Sequence, residues 1–475
     1  MPSSDRPNVV LAVLDTARAD HFGPFGGLAS TPAFDALAAR GNAVRAVATS
    51  PWTVPSHASM FSGLLPFEHG VTGAAAITEE RRLASLAPAI ERLADRWLPE
   101  ALRRGGYRTV AVSANVWITP PMGFDLGFEE FVPVGTARVA PRGGARRRRL
   151  EDLVPDMVRR RAKRAVRYGR DARLGRDFGA RAALREVRRV AAESDPAPRP
   201  LFLFVNVMEA HAPYLPPPPF NPLTGAERLR APAINHRYLG DEFVAAFNLG
   251  AAEAPEEALG ILRRLYAAEV SYVDRFLAGL VDAFEPMLDR TLLVVTADHG
   301  ENLGEDHRLG HALALDERLL FVPLAVSGPG APDLRGRPVT SLASLPGLIC
   351  GAVSIGDHPW AARSGDASDG FVAVAQYESG WNHLRRAAGV ARRYRLSAEQ
   401  QLAMRAIHRA ATDGRTLLVQ GPAGERATGA EAGAETLERL RAALREAPEG
   451  PVEAGVYSPA EEAEIEERLR ELGYL

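Results

Sequence analysis

Three residues from two distant parts of the chain are of the types that bind metal ions. They are Asp15, Asp298 and His299, and they follow the apolar segments 8–14 and 291–295, which are typical of buried strands. Carboxylates and imidazoles at the ends of such strands are common metal ligands. An aspartate after a strand is also a common helix cap, because its carboxylate accepts hydrogen bonds from free backbone amides. We therefore treat the three residues as candidate metal ligands, and the capping role stays open.

Thr53 is placed where a hydroxyl group could act as a nucleophile. In residues 50–63, Pro55 and the small residues after it predict a helix that begins near Thr53. The N-terminus of a helix binds anions through its free N–H groups and its dipole. A nearby metal ion could lower the pKa of the hydroxyl group enough to make it a nucleophile. The alternative is that Thr53 only caps the helix.

Buried strands could bring these residues together. Residues 109–112 and Leu201–Val207 are further short apolar runs, and amphipathic segments separate the runs along the chain. This pattern predicts parallel strands that are connected by helices. In such sheets, ligands bind beyond the carboxyl ends of the strands. We therefore expect the polar residues that follow the strands to converge at one edge: Asp15, Asn115, Glu209, His211, Asp298 and His299.

Ordered segments over most of the chain resemble the sulfatase family of the alkaline phosphatase superfamily. The segments are residues 7–15, 18–21, 31–35, 53–63, 69–71, 106–109, 123–125, 211–214, 296–301 and 322–324. The resemblance implies an α/β fold with a large mixed, mostly parallel sheet sandwiched by helices and a smaller C-terminal α+β domain. It also implies a hydrolase that acts on sulfuric or phosphoric esters.

The resemblance assigns a metal site to particular residues. It implies a divalent metal ion bound by Asp15, Asp298 and His299. The oxygen of Thr53 completes the ligand set when it is deprotonated, and Thr53 is then the nucleophile. Two carboxylates, an imidazole and a hydroxyl group favour zinc or manganese over calcium, which prefers ligand sets made only of oxygen. Calcium stays open because family members bind it.

Other residues would contact or protonate the substrate. His211 matches a family histidine that contacts the transferred group, and His311 falls where many members have a substrate-binding lysine. Asn115 could donate a hydrogen bond to a substrate oxygen. Any of His57, His211 and His311 could protonate the leaving oxygen, because the pKa of histidine lies near neutrality. The sequence does not choose among the three histidines.

A second metal ion also stays open. Asp306 and His307 lie in the same polar segment as His311, and all three are metal-ligand residue types. A solvated loop is the simpler explanation of these residues.

The candidate nucleophile departs from the family pattern. The family motif, Cys or Ser followed by x-Pro-x-Arg, here reads Thr53-Val54-Pro55-Ser56-His57. Formylglycine is therefore excluded at position 53. A formylglycine hydrate can release sulfate by breaking a C–O bond, whereas a threonyl adduct must be attacked at sulfur or phosphorus. This difference favours phosphate monoesters, phosphodiesters and phosphonates over sulfate esters.

Two other functions stay open. The threonyl intermediate could pass its phosphoryl group to a soluble acceptor, which would make the chain a transferase. Alternatively, the chain could bind an anionic ligand or a partner without turnover, since the family arginine and lysine are absent. Retention of the set Asp15, Thr53, Asp298 and His299 argues against this second alternative.

Composition and charge narrow the class of protein. The 475 residues are 46% hydrophobic and 24% charged, which is typical of a globular protein with a large core. The net charge of −2 gives no overall attraction for nucleic acid or an anionic membrane, so any attraction for anions must be local. The resemblance to sulfatases implies a small anionic ester as the substrate and no nucleic-acid partner. Cys350 is the only cysteine, which excludes an intramolecular disulfide. The sequence shows neither a membrane span nor a signal peptide, and this predicts a cytoplasmic protein.

The predicted domain boundary lies near residue 350. We expect a catalytic domain over residues 1–350, with an arginine-rich insertion at about 141–189, and a smaller domain over residues 351–475. In the smaller domain, residues 398–411 are predicted to be helical and residues 415–420 to form a strand. The arginine-rich segment is interpreted either as a solvated helical face or as a surface that binds an anion or a partner.

Overall fold

The computed structural model of the chain describes residues 6–72, 84–135, 156–194, 198–337, 339–356, 358–360, 371–378, 381–429, 433–447 and 455–456. In these ranges the strands are β1 (Asn8–Leu14), β2 (Asn42–Val47), β3 (Ala84–Ser85), β4 (Arg108–Ser113), β5 (Glu130–Pro133), β6 (Leu201–Val207), β7 (Thr291–Thr296), β8 (Asn302–Leu303), β9 (Leu309–Gly310), β10 (Phe321–Ser327), β11 (Thr340–Ser341), β12 (Ala373–Glu378), β13 (Ile407–Thr412), β14 (Thr416–Gly421), β15 (Gly424–Gly429) and β16 (Gly455–Val456). The α-helices are α1 (Pro32–Arg40), α2 (Thr53–Ser62), α3 (Pro66–His69), α4 (Ala87–Glu91), α5 (Leu98–Arg104), α6 (Asp156–Leu174), α7 (Ala180–Glu193), α8 (Gly225–Tyr238), α9 (Asp241–Asn248), α10 (Glu256–Phe284), α11 (Glu317–Leu320), α12 (Leu345–Ala352), α13 (Trp381–Tyr394), α14 (Ala398–Ala403) and α15 (Ala434–Glu446).

The main sheet has the strand order β11-β2-β10-β7-β1-β6-β4-β5 in the described part of the chain. β1 lies in the middle and pairs in parallel with β6 and β7, and β4 pairs in parallel with β5 and β6. β10 runs antiparallel to both of its neighbours, β2 and β7. The four strands predicted from the sequence are therefore present, and the predicted fold class, a large mixed and mostly parallel sheet, is confirmed.

Burial on both faces explains why the central strands are continuous apolar runs. Every residue of β1, β6 and β7 is buried, as expected where helices cover a parallel sheet. The flanking helices form two groups, one of α1, α7 and α10 and another of α2, α5 and α12. Although most of α7 falls within the predicted arginine-rich insertion at about 141–189, its residues Ala183 and Val187 are buried in the main core.

A second sheet, β12-β13-β14-β15, is antiparallel and lies in the C-terminal part of the chain. Its Ala373 and Leu417 pack with Val47 and Phe321 of the main sheet. The predicted smaller C-terminal domain is confirmed, whereas its boundary near residue 350 stays a prediction. The helix predicted over residues 398–411 is wrong in its second half, because residues 407–412 form β13 between β12 and β14. Pairing with two strands outweighs the local helical pattern there.

His69, at the end of α3, is a buried histidine with both ring nitrogens hydrogen-bonded. Its Nδ1 accepts from the backbone N–H of Val71 at 3.0 Å, and its Nε2 donates to Ser59 Oγ at 3.1 Å. Burial lowers the pKa of His69 from 6.5 to about 3. The unfolded chain therefore binds a proton that the folded protein does not, so stability falls as the pH drops below 6.5 towards the folded pKa.

Replacing His69 with glutamine is expected to reduce this acid sensitivity. The single group should cost about 1.4 kcal/mol of stability per pH unit over this window. We expect the free energy of unfolding in urea to fall less steeply with decreasing pH for H69Q than for the wild type. The difference between the two slopes should correspond to the uptake of about one proton on unfolding. H236Q, at an exposed histidine, is the matched control and should change the slope less. An unchanged slope in H69Q would contradict the argument from burial.

Candidate active site

The three predicted metal ligands lie together at the edge of the main sheet. One possible ligand atom from each of Asp15, Asp298 and His299 lies within 4.8 Å of the other two. Asp15 directly follows β1, and the other two residues follow its parallel neighbour β7. All three side chains are fully buried. We refer to these three residues as the metal group.

Hydrogen bonds fix the orientation of two members of the metal group. Asp298 Oδ1 accepts from the backbone N–H groups of Thr16, at 3.1 Å, and His299, at 2.9 Å. The Nδ1 atom of His299 donates to the carbonyl oxygen of Gly300 at 2.9 Å. This hydrogen bond leaves the lone pair of Nε2 available, which is how a histidine that binds a metal ion is usually held.

Asn115 orients the third member. Its Nδ2 donates to Asp15 Oδ2 at 2.5 Å, and its Oδ1 accepts from the backbone N–H of Trp117 at 2.8 Å. Among the described residues, Asp15 Oδ1, Asp298 Oδ2 and His299 Nε2 are then buried without a hydrogen-bond partner. Burying a polar atom without a partner is costly, and one cation would satisfy all three atoms. The metal group therefore fits a metal ion.

The charge of the metal group also fits a cation. Burial raises the pKa of Asp15 well above its ordinary value, and the nearby charge of Asp298 raises it further. Two carboxylates in a buried site repel each other unless a positive charge lies between them.

Helix α2 begins at Thr53, as the sequence predicts. The Oγ atom of Ser56 donates to the carbonyl oxygen of Asp298 at 2.7 Å. The Nδ1 atom of His57 lies 3.6 Å from Asp298 Oδ2. These two contacts place the first turn of α2, which contains Thr53, beside the metal group.

His57 supports this first turn from inside the protein. Its Nδ1 donates to the carbonyl oxygen of Thr53 at 2.8 Å, and its Nε2 accepts from Asn206 Nδ2 at 3.2 Å. The ring is fully buried and meets Phe124 and Phe204 edge-on. Burial lowers the pKa of His57, which keeps the ring neutral. Both ring nitrogens are thus engaged with the protein.

The other two predicted histidines lie next to His299. The ring centroids of His299 and His311 are 4.7 Å apart, and those of His311 and His211 are 5.3 Å apart. His311 Nδ1 donates to Glu301 Oε1 at 3.0 Å. Burial acts to lower the pKa of His311, but the charge and hydrogen bond of Glu301 outweigh it and raise that pKa. Burial, together with the positive charge of His311, lowers the pKa of His211 to about 4.

Glu301 is a site residue that the sequence analysis did not identify. It lies in the matching segment 296–301, two residues after His299, and it is fully buried. Its position beside the proposed metal ligands could have marked it as a site residue, because an acidic side chain that is buried there needs a partner. Its partner, His311, lies ten residues further along the chain.

The residues of the possible second metal site are not clustered around a common point in the loop that follows the metal group. Asp306 forms an ion pair with Arg318 at 2.8 Å. The ring of His307 stacks on Phe247 with centroids 4.0 Å apart. Within the described ranges, the metal group is the cluster of histidine and acidic side chains that could hold a metal ion.

Comparison with known proteins identifies the family. Residues 7–333 match the Sulfatase family. The chain belongs to the sulfatase family. A 113-residue segment is 35% identical to choline-sulfatase of Rhizobium meliloti (strain 1021), and this match spans 23% of the chain and 22% of that protein. Membership confirms the resemblance seen in the sequence, and it agrees with the predicted enzyme class, a hydrolase of sulfuric or phosphoric esters.

Solved structures with the same fold include both sulfatases and phosphonate hydrolases. A 2-O GAG sulfatase superposes with a TM-score of 0.58 at 16% identity, covering 93% of this chain and 90% of that chain. The phosphonate monoester hydrolase of Agrobacterium radiobacter superposes with a TM-score of 0.56 at 19% identity, covering 93% and 94%. The phosphonate monoester hydrolase of Silicibacter pomeroyi gives a TM-score of 0.56 at 17% identity, with the same coverage.

Two further features of this sulfatase-family chain bear on the predicted nucleophile and on the predicted cytoplasmic location. Position 53 holds threonine and position 57 holds histidine, and their side chains are both buried. In the described residues, no helix is both long enough and apolar enough to cross a membrane. The cytoplasmic location stays a prediction.

Proposed function

We propose that this chain is a metal-dependent hydrolase of phosphate or phosphonate esters, that sulfate esters are its poorer substrates, and that Thr53 is its nucleophile. The observation that carries the proposal is the first turn of α2, which lies against a buried metal group with three unpartnered ligand atoms. The solved relatives named above include phosphonate monoester hydrolases as well as a sulfatase. Both ester classes therefore occur on this fold.

The proposed metal ligands are Asp15, Asp298 and His299, with the oxygen of Thr53 as the fourth. When bound, the ion would supply positive charge that lowers the pKa of the Thr53 hydroxyl group and offsets negative charge on the substrate. Zinc or manganese is favoured by the mixed oxygen and nitrogen ligands, and calcium stays possible.

Thr53 and the start of its helix provide the attacking oxygen and hydrogen-bond donors for the substrate. The Oγ1 atom of Thr53 attacks phosphorus, a new O–P bond forms, and the bond to the leaving oxygen breaks. The first hydrogen bond of the helix runs from the N–H of Ser56 to the carbonyl oxygen of Trp52, at 3.2 Å. The N–H groups of Thr53 and Val54 precede it and are suited to the non-bridging oxygens of the substrate. Water then attacks the phosphorus atom of the threonyl ester, the bond from phosphorus to Thr53 Oγ1 breaks, and a proton from the water restores the hydroxyl group of Thr53.

His311 is the proposed proton donor to the leaving oxygen, and Glu301 holds it in place. The side chain of His311 is 16% exposed, while that of His57 is fully buried with both nitrogens engaged. This difference favours His311 over His57. His211, beside His311, is proposed to contact the transferred group, as the family resemblance implies. Asn115 uses one amide hydrogen on Asp15, which leaves the second for a substrate oxygen.

A panel of esters with the same aryl leaving group tests the proposal. It contains a sulfate, a phosphate monoester, a phosphodiester and a phosphonate monoester, each assayed with metal-loaded and with chelator-treated protein. We expect the loaded protein to cleave one of the phosphorus esters with a kcat/KM about tenfold or more above that for the sulfate. Preference for the sulfate would contradict the argument from the missing formylglycine. No cleavage of any ester by loaded protein would favour a non-catalytic binding function instead.

A further inference from the structure

The exposed face of α6 carries basic and apolar side chains together. Arg167, Arg170 and Arg173 are interleaved with Val166 and Leu174, and at the angular spacing of an α-helix these five lie within an arc of roughly 120°. Val166 is 74% exposed and Leu174 is 57% exposed. A solvated helical face carries mainly charged and polar side chains. The two apolar residues therefore distinguish this face from an ordinary charged surface.

The arginines of this face are poorly neutralised. Arg167 and Arg173 form no ion pair with a carboxylate among the described residues, and neither does Arg164, an exposed residue of α6 about 60° beyond this arc. Arg170 does form one, with Asp171 at 3.3 Å. Arginine side chains without acidic partners leave a local positive potential, even though the whole chain has a net charge of −2.

The start of α8 lies beside the last turn of α6. Arg228 donates hydrogen bonds of 2.7 and 2.8 Å to two carbonyl oxygens in the last turn of α6. The next residue, Leu229, is 69% exposed. Further along α8, the ring of His236 lies 6.0 Å from that of Tyr168 of α6, and burial together with the charges of Arg164 and Arg167 lowers the pKa of His236. Three of the six strongly exposed large apolar side chains of the described residues thus lie on α6 and α8.

We infer that this surface binds the face of an anionic lipid bilayer. We call it the basic-apolar surface, and it consists of Arg164, Val166, Arg167, Arg173, Leu174 and Leu229. Its guanidinium groups would pair with lipid phosphates, while its apolar side chains would reach the boundary of the acyl chains. A nucleic acid or an anionic polysaccharide would attract the arginines equally well, but it offers no apolar phase for the other three side chains. The apolar half of the surface therefore favours lipid.

Cosedimentation of the full chain with lipid vesicles tests this inference. Vesicles of equal parts phosphatidylcholine and phosphatidylglycerol are compared with vesicles of phosphatidylcholine alone. The variants are R164Q/R167Q/R173Q, V166S/L174S/L229S and, as matched controls on exposed residues of the C-terminal part, R392Q/R395Q/R405Q and L402S. Circular dichroism melting of each variant checks that it is folded.

We expect wild type to bind the anionic vesicles only, and to bind them less strongly as salt is added. Loss of the three arginines should weaken partitioning on the order of 100-fold, and loss of the three apolar side chains on the order of tenfold. The control variants should bind like wild type.

Several results would overturn the inference. Equal binding to both kinds of vesicle would do so, and so would an equal loss in the arginine control variant. If V166S/L174S/L229S binds vesicles as well as wild type, or if wild type binds heparin or duplex DNA but not vesicles, the surface is a site for polyanions rather than for lipid.

Discussion

Replacing Thr53 with alanine is expected to lower kcat/KM for ester hydrolysis on the order of 10⁴-fold or more, because the attacking oxygen is lost. The fold should survive. The contacts that hold the first turn of α2 use the backbone of Thr53 and the side chains of Ser56 and His57, and alanine is a good helix former. Steady-state kinetics with metal-loaded protein on the best ester of the panel would measure the effect.

Two variants make this test specific. Thr53→Ser keeps a hydroxyl group at the same position, and we expect it to stay within about 100-fold of wild type. Thr49→Ala removes a buried hydroxyl group that has no hydrogen-bond partner, four residues before the proposed nucleophile, and should leave kcat/KM unchanged. If Thr53→Ala hydrolysed the ester at nearly the wild-type rate, water rather than threonine would be the attacking group.

The sequence predicts the positions of the central strands and of the metal group because both depend on the same local pattern. β1 and β6 have the predicted bounds, β7 is one residue longer at its end, and β4 is one residue longer at each end. Polar residues directly after parallel strands must emerge at one edge of the sheet. For this reason Asp15 and Asp298 could be placed together from a single chain, and the helix start at Thr53 follows from its proline and small residues.

The details of the site depend on long-range pairing that a local pattern does not contain. The sequence suggests a substrate contact for Asn115, yet its amide donates to Asp15, a hundred positions away. Similarly, three histidines are equivalent in the sequence, but in the fold His57 is hydrogen-bonded to Asn206 and His311 to Glu301. Which polar atom satisfies which other atom is decided by the packing of distant segments. The same limit explains why β13 is misread as a helix.

Replacing Asp15 with asparagine is expected to change stability in opposite directions with and without a metal ion. In metal-free protein, the neutral amide replaces one of the two carboxylates of the metal group and removes their mutual repulsion, so the free energy of unfolding should rise by about 1–2 kcal/mol. With metal present at about 1,000 times its dissociation constant, wild type should gain about 4 kcal/mol. The variant should gain little, because it has lost a charged ligand. Urea unfolding of both proteins, with chelator and with zinc or manganese, measures the four values.

The Asp274→Asn variant separates this effect from the general cost of changing a buried aspartate. Asp274 is also buried, but its carboxylate accepts from the backbone N–H groups of Ala33 and Phe34 at the start of α1, at 3.0 and 2.9 Å. An asparagine there can accept only through its single oxygen, so D274N should be less stable than wild type by about 1 kcal/mol both with and without metal. It should keep the full metal-dependent gain. If no divalent ion stabilised wild type, or if D15N gained as much as wild type, the unpartnered atoms of the metal group would need a different explanation. If metal-free D15N is more stable than metal-free wild type and gains no stability from the metal ion, as expected, the repulsion and the metal site arise from the same two carboxylates.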